Sequence, residues 1–300
     1  MHDFQIEEFV ASAKWINCFL KRNDLSLRKP HHKRRGAVKP DHADAFLRNL
    51  ANAIKKHGPS RVFNMDETFV RLRSFSEYVI AETGQKDVIV EHDHAINEKA
   101  GTTFIATVSM DPQVEVPVAC IAKGKTKRCE NKYGITDETD DICFHSTSGW
   151  TTMSVMIQYL SWLHDRYGDG FALVLDVYSA HRHELVKEYA AELKNDLIYV
   201  PANGTGDYQP LDRIIFGIAK QKINQKRRLD PMPNATNDEL YHASYLQFKS
   251  AMDEMRDEAI TEAWNIAELD KYLEEVIDFD DPNDRDYLDD NFEEEPEEEY

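Results

Sequence analysis

Five consecutive apolar residues, Phe171–Leu175, run directly into Asp176 and follow the helix stop Gly168-Asp169-Gly170. A short apolar run without alternation marks a strand covered on both faces. Such a strand needs helices on both sides of its sheet, and the flanking sequence supplies candidates. WTTMSVMIQYLSWLHDRY (150–167) predicts an amphipathic helix before the strand, and AHRHELVKEYAAEL predicts one after it. DLIYVP then reads as a strand, and LDRIIFGIAKQKINQKRRL reads as a helix with a basic end. Upstream, RVFNMDETFV is β-rich, and residues 102–109 and 114–122 read as strands joined at Met110-Asp111-Pro112. Strands first, then alternating helix and strand, predict an α/β fold: a mixed sheet with flanking helices.

The remaining segments are helical or charged. Residues 5–23 and 40–57 have helical spacing, and Thr236-Asn237-Asp238-Glu239 has capping-box form ahead of a helical region reaching about residue 277. The net charge of −19 is unevenly spread. Residues 1–60 carry twelve Lys/Arg against six Asp/Glu, whereas residues 266–300 carry seventeen Asp/Glu against two Lys/Arg. The acidic excess therefore sits largely in a tail that cannot bury enough apolar surface to fold alone, and it does not exclude a nucleic-acid partner. That tail reads as solubilising, with mimicry of DNA or binding of basic proteins as the other readings. Lys29 to Arg35 reads either as a nuclear import signal, giving a nuclear location, or as a solvated linker. No run of 18 or more apolar residues and no secretory leader appears. Cys18, Cys120, Cys129 and Cys143 form no C-x-x-C pair and read as reduced thiols of an intracellular protein.

Two carboxylates share one context: Asp66 closes the apolar stretch VFNM, and Asp176 closes FALVL. In an open sheet flanked by helices, ligands bind beyond the strand ends. Like charges delivered there raise one another's pKa unless a cation neutralises them. Oxygen donors of this kind suit Mg²⁺ or Mn²⁺. Asp212, opening a helix after a turn-rich loop, supplies the third carboxylate. Glu67 adjoins Asp66 but points to the other face of the strand. His92, Asp93 and His94 imitate a metal cluster and read as a polar loop.

NMDET (Asn64–Thr68), LDVYSAH (Leu175–His181) and PANGTGDYQPLD (Pro201–Asp212) resemble, in this order, the three signatures of pogo-type DDE/D transposases of the mariner-like group. That family includes centromere protein B and jerky-like proteins. Thirty-five residues lie between Asp176 and Asp212, a spacing that suits the group. Lys123-Gly124-Lys125, Gly149-Trp150, Trp162-Leu163 and Ala263-Trp264 resemble further family features. The resemblance covers roughly residues 12–266 and implies a ribonuclease-H-like fold. It also implies Asp66 on the first strand, Asp176 at the fourth, Asp212 at the following helix, two bound Mg²⁺ or Mn²⁺ ions, and DNA as the substrate. The activity implied is cutting of a DNA phosphodiester followed by strand joining. A non-catalytic DNA- or chromatin-binding protein descended from a transposase is the alternative, and a hydrolase of smaller phosphate esters is a third reading.

The expected organisation is a helix-turn-helix remnant with a basic linker over 1–40, a catalytic domain over 41–230, a helical extension over 231–278 and a disordered acidic tail over 279–300. Residues 12–28 resemble only the closing part of the family's paired helix-turn-helix region, so terminal-repeat recognition is expected to be missing. Val177 stands where the family places Asn. Gly204 and Gly206 replace Thr- and Ser-like positions and are expected to loosen the loop carrying Asp212. His181 and Gln209 are candidates for supporting the site. Lys123, Lys125, Lys127 and Arg128 form one basic cluster that could meet DNA phosphates, and Lys222, Lys226, Arg227 and Arg228 form a second. A second copy of the chain is a further candidate partner.

Overall fold

A computed structural model describes residues 12–28, 36–73, 79–84, 100–135, 139–230, 232 and 234–278. The proposed import signal, the His92–His94 loop and the acidic tail lie outside these residues. The described residues open with α1 (Ala13–Arg22), β1 (Leu25–Arg28) and α2 (Pro40–His57), the last covering the whole segment expected as helical. The central strand β2 (Val62–Arg71) follows, then β3 (Val79–Glu82), β4 (Gly101–Ser109), β5 (Ala119–Lys123) and β6 (Ile142–Ser146). Helix and strand then alternate through α3 (Met153–Tyr167), β7 (Ala172–Leu175), α4 (Glu184–Glu192) and β8 (Asp196–Tyr199). A short turn of helix, α5 (Thr205–Tyr208), leads through a π-helical turn at Leu211–Ile215 into α6 (Phe216–Leu229). Helices α7 (Asn237–Asp253), α8 (Asp257–Trp264) and α9 (Leu269–Asp278) follow. Thr236 and Glu239 form the expected capping box on α7.

Six strands form one mixed sheet in the order β6-β5-β4-β2-β7-β8, and β1 pairs with β3 in a separate ribbon. Within the sheet β4 runs antiparallel to β2 and β5, whereas β2, β7 and β8 are mutually parallel. This is the ribonuclease-H-like arrangement that the three signatures imply, with β6 added parallel to β5 at the edge. Strand β5 begins later than expected, at Ala119, while β1, β3 and β6 carry too little alternation to stand out from sequence.

Period-two alternation along β2 decides which helices meet which side chains. Phe63 and Met65 face α3 and α4, packing with Val155, Met156, Tyr159, Leu160 and Val186. Val62 and Val70 face the opposite layer. There Phe46, Leu47 and Leu50 of α2 cover one end, and Phe216, Ala219 and Ile223 of α6 cover the other. The segment expected as a C-terminal extension forms part of this layer. Tyr245 and Phe248 of α7 join the α6 core, and Trp264, Leu269 and Tyr272 join the α2 core.

The buried Trp264 indole also donates Nε1–H to the Ser109 carbonyl at 3.0 Å, tying α8 to β4. Removing so large a buried ring leaves a cavity and an unmatched carbonyl. Trp264→Ala is expected to destabilise the protein by about 3–5 kcal/mol. Trp264→Phe, which keeps most of the apolar volume, should cost far less, and urea denaturation distinguishes the two.

Candidate active site

Strand register sets two of the carboxylates side by side. Parallel β2 and β7 pair Asn64 with Val174, and advancing two residues on each chain leads to Asp66 and Asp176. Asp66 does not close its strand, as the apolar stretch before it suggested. It lies in the middle of a ten-residue strand that continues past it with Thr68 and Val70 buried, because β4 pairs with β2 from Phe63 to Arg71. Asp176 does follow directly on β7. Asp212 is the second residue of the π-helical turn that opens α6, a form of helix often found at functional sites.

Asn64 joins these three pieces. Its side-chain amide donates to the Val174 carbonyl at 3.0 Å, and its oxygen accepts the Leu211 N–H at 2.9 Å. One buried side chain on β2 thus fixes β7 just before Asp176 and the turn just before Asp212. A buried amide between two apolar residues was the sequence signal for this role.

Charge at the site is concentrated and uneven. Burial lifts the Asp66 carboxyl well above the ordinary value of 3.8, and Asp212, Glu67 and Asp176 raise it further. The Glu67 N–H, donating to Asp66 Oδ1 at 2.8 Å, offsets only part of this. Asp212 is also raised, first by loss of water and then by Asp176, against the pull of Lys220 and a hydrogen bond with Asp66. Asp176 goes the other way. Burial opposes its ionisation, but the His181 bond and the Tyr178 N–H hold its carboxyl below the usual range.

His181 is fully buried between two carboxylates, with Nδ1 2.7 Å from Asp176 Oδ1 and Nε2 3.0 Å from Glu67 Oε1. Ionised carboxylates only accept, so both ring nitrogens must donate. Burial alone would lower the imidazole pKa, yet the two carboxylates overcome it and push the value up to about 10. The Thr151 hydroxyl donates to the same Glu67 oxygen, and the Tyr199 hydroxyl donates to the His181 carbonyl at 3.0 Å. Glu67 does lie on the face opposite Asp66, as alternation required. From there it reaches Asp176 through His181, a connection that spacing along the strand did not reveal.

Gln209 is buried with neither amide atom hydrogen-bonded among the described residues. The preceding loop is tight at Gly204, where a Cβ would lie 2.9 Å from the Pro201 carbonyl oxygen and 2.9 Å from the Tyr208 ring. Gly204 therefore permits close packing of the loop, in contrast to the loosening expected from added glycine. At Gly206 a Cβ would meet open space.

The two basic clusters differ in their surroundings. Lys123, Lys125, Lys127 and Arg128 are exposed around the end of β5 and the 3₁₀ turn after it. In α6, Lys222 and Lys226 bridge Glu254 at 3.4 and 2.9 Å, and Arg227 bonds Gln247 and the Arg71 carbonyl. These three hold α6 to its neighbours; Arg228 is exposed.

Among the described residues, no group of three His, Cys, Asp or Glu side chains is drawn together tightly enough to cage a metal. The donor set nevertheless fits a hard divalent ion, which keeps several waters and takes one or two carboxylates alongside substrate phosphate. Accumulated negative charge with raised carboxyl pKa values is the physical sign of that fit. Because folding raises the Asp66 pKa, its contribution favours the fold below pH 3.8 and is lost as pH rises through the folded value. In chelator, Asp66→Asn is therefore expected to stabilise the protein at neutral pH, because it removes a buried carboxylate crowded by Asp212, Glu67 and Asp176. Mg²⁺ or Mn²⁺ should raise the melting temperature of the parent more than that of the variant. Thermal melts across pH with and without metal test both expectations.

No curated protein sequence matches the chain. Solved structures similar to it include the Mos1 strand transfer complex, at 11% identity and TM-score 0.46, covering 89% of this chain and 69% of that one. The catalytic domain of Mos1 mariner transposase matches at 11% identity and TM-score 0.42, covering 83% and 95%. The same catalytic domain with Raltegravir and Mn matches at 10% identity and TM-score 0.45, covering 81% and 96%. Residues 99–265, more than half of the chain, match the family described as DDE superfamily endonuclease, and the chain belongs to that family.

Proposed function

We propose that this protein is a DNA endonuclease and strand transferase in which Asp66, Asp176 and Asp212 hold two Mg²⁺ or Mn²⁺ ions. The observation carrying this reading is the convergence of three segments: β2 and β7 are aligned at Asp66 and Asp176, Asn64 ties both to the turn bearing Asp212, and burial keeps the Asp66 and Asp212 carboxyls above their usual range. When bound, such ions activate water or a DNA 3′-hydroxyl and stabilise the departing oxyanion.

The chain's own groups supply position. Asn64 keeps the three carboxylate-bearing segments in register, so the ligands do not drift apart when charged. His181, fixed by Glu67, holds one oxygen of Asp176 and leaves the other for a cation. The buried Gln209 amide, without a hydrogen-bond partner among the described residues, is suited to hold an ordered water near Asp212. Lys123, Lys125, Lys127 and Arg128 give sequence-independent, salt-sensitive affinity for the backbone. Nuclear location and assembly with a second copy of the chain belong to the same proposal.

Mn²⁺-dependent nicking of supercoiled plasmid tests the chemistry. Asp66→Asn, Asp176→Asn and Asp212→Asn should each reduce nicking by at least about a thousandfold, because removing an interaction worth about 4 kcal/mol in the transition state costs that much. Binding to the same plasmid in chelator should persist in all three. Nicking that survives every one of the substitutions would defeat the metal assignment.

His181→Gln removes a positive charge but keeps a polar side chain. It is expected to lower the nicking rate by about tenfold to a hundredfold and to raise the Mn²⁺ concentration needed for half-maximal rate. A metal titration that left the midpoint unchanged would remove His181 from ligand positioning.

A further inference from the structure

Trp150 stands in the loop between β6 and α3 with 51% of its surface exposed. A single exposed aromatic ring is ordinary on a protein surface, but this one is mounted. One indole face stacks on Phe69 of β2, with centroids 5.7 Å apart and planes 30° from parallel. The loop beneath is fixed. Thr103 Oγ donates to the Gly149 carbonyl at 2.8 Å, Ser146 Oγ donates to the Trp150 carbonyl at 2.7 Å, and the Gly149 N–H donates to Ser146 Oγ at 3.0 Å. Gly149 takes φ +80°, a left-handed conformation, and a Cβ there would press on Lys123 at 3.0 Å.

This mount is continuous with the carboxylate site. Thr151, the next residue, bonds Glu67, which holds His181 against Asp176. Phe69 shares the Glu67 face of β2, three residues beyond Asp66 along the strand, roughly 10 Å at about 3.3 Å per residue. Lys123 adjoins the loop, and Lys125, Lys127 and Arg128 follow it on the exposed surface. Tyr178, two residues after Asp176, presents a second ring with 45% of its surface exposed.

We propose that Trp150 is a stacking platform for an unpaired nucleobase of the DNA strand whose phosphate enters the carboxylate site, with Lys123 meeting a neighbouring phosphate. This rests on the DNA-cutting reading above and adds to it a site for a base removed from its stack. A rigid ring with one face supported loses little freedom when a base covers the other. Stacking of this kind is tolerant of sequence because every base has a π-face.

Binding of a labelled single-stranded oligothymidine and of a blunt duplex of equal length, both in chelator, tests the proposal on the full chain. Trp150→Ala should weaken oligothymidine binding by about fivefold to a hundredfold, the range for loss of one stacked base, while duplex affinity changes by less than about twofold. Trp150→Phe should restore most of the affinity. It should also lack the component of tryptophan emission that oligothymidine quenches in the parent, a readout independent of how well the alanine variant folds. Equal oligothymidine binding by parent and Trp150→Ala, with duplex binding intact, would overturn the platform and leave the nuclease reading standing. Equal quenching in parent and Trp150→Phe would do the same. A parent protein that bound neither DNA would overturn both.

Discussion

Asn64 is buried in the central strand, yet both ends of its amide are used: the nitrogen on β7 and the oxygen on the turn that begins α6. A buried amide left unmatched would cost several kcal/mol, so these two bonds are close to obligatory in the folded state. Their geometry brings together pieces of chain separated by more than a hundred residues. The strands could slide, and the π-helical turn could pivot, if apolar contacts alone held them, because such contacts are non-directional. Hydrogen bonds to a fixed amide remove that freedom.

Once the carboxylates are held together, their electrostatics follow. Burial disfavours ionisation of each of the three acids, and at Asp176 an internal cation, His181, outweighs it. Asp66 and Asp212 keep raised pKa values, chiefly through burial, with neighbouring carboxylates adding to it. An arrangement that stabilised the apo protein would pair them with Lys or Arg; here Lys220 offsets Asp212 only in part. Unrelieved charge near a strand register and a helix entrance is a cost to folding that binding a divalent ion would reverse. His181 has a second consequence. By bonding Glu67 on the opposite face of β2, it connects the cleft to the α3 side of the sheet, where Thr151 and the mounted Trp150 begin.

Much of the fold could be read in the sequence because its governing signals are local. The apolar run at Phe171–Leu175, the helical spacing of 40–57 and the capping box at Thr236 each operate within a few residues, and all three appear as expected. The short strands β1, β3 and β6 could not be read this way, since their assignment depends on a partner strand and hardly on their own composition. The role of residues 237–278 was also hidden. Their apolar faces were visible, but not the sheet they cover, and α7 to α9 close the same layer as α2 and α6. In the site, Asp66, Asp176 and Asp212 stood out from the wording around them, and the alignment of the first two by strand register was not visible there. The engagement of Lys222, Lys226 and Arg227 with neighbouring helices was not visible either, because a basic helix face looks the same in sequence whether it meets phosphate or Glu254.

The sequence by itself determined the chemistry on offer: three acids in a fixed order, a histidine after the second, and strands and helices in an alternation that only a layered sheet can satisfy. Local periodicity and residue identity are properties of the chain, and they survive without coordinates. Tertiary structure alone decided which of these groups act on one another. The parallel register of β2 with β7 aligned Asp66 with Asp176, and Asn64 placed the turn bearing Asp212. Full pairing of β2 with β4 buried Asp66 in mid-strand, and the position of His181 drew Glu67 into the site from the other face. Those outcomes depend on distances between residues far apart in the chain, and electrostatic and hydrogen-bond energies are set by distance and solvent access.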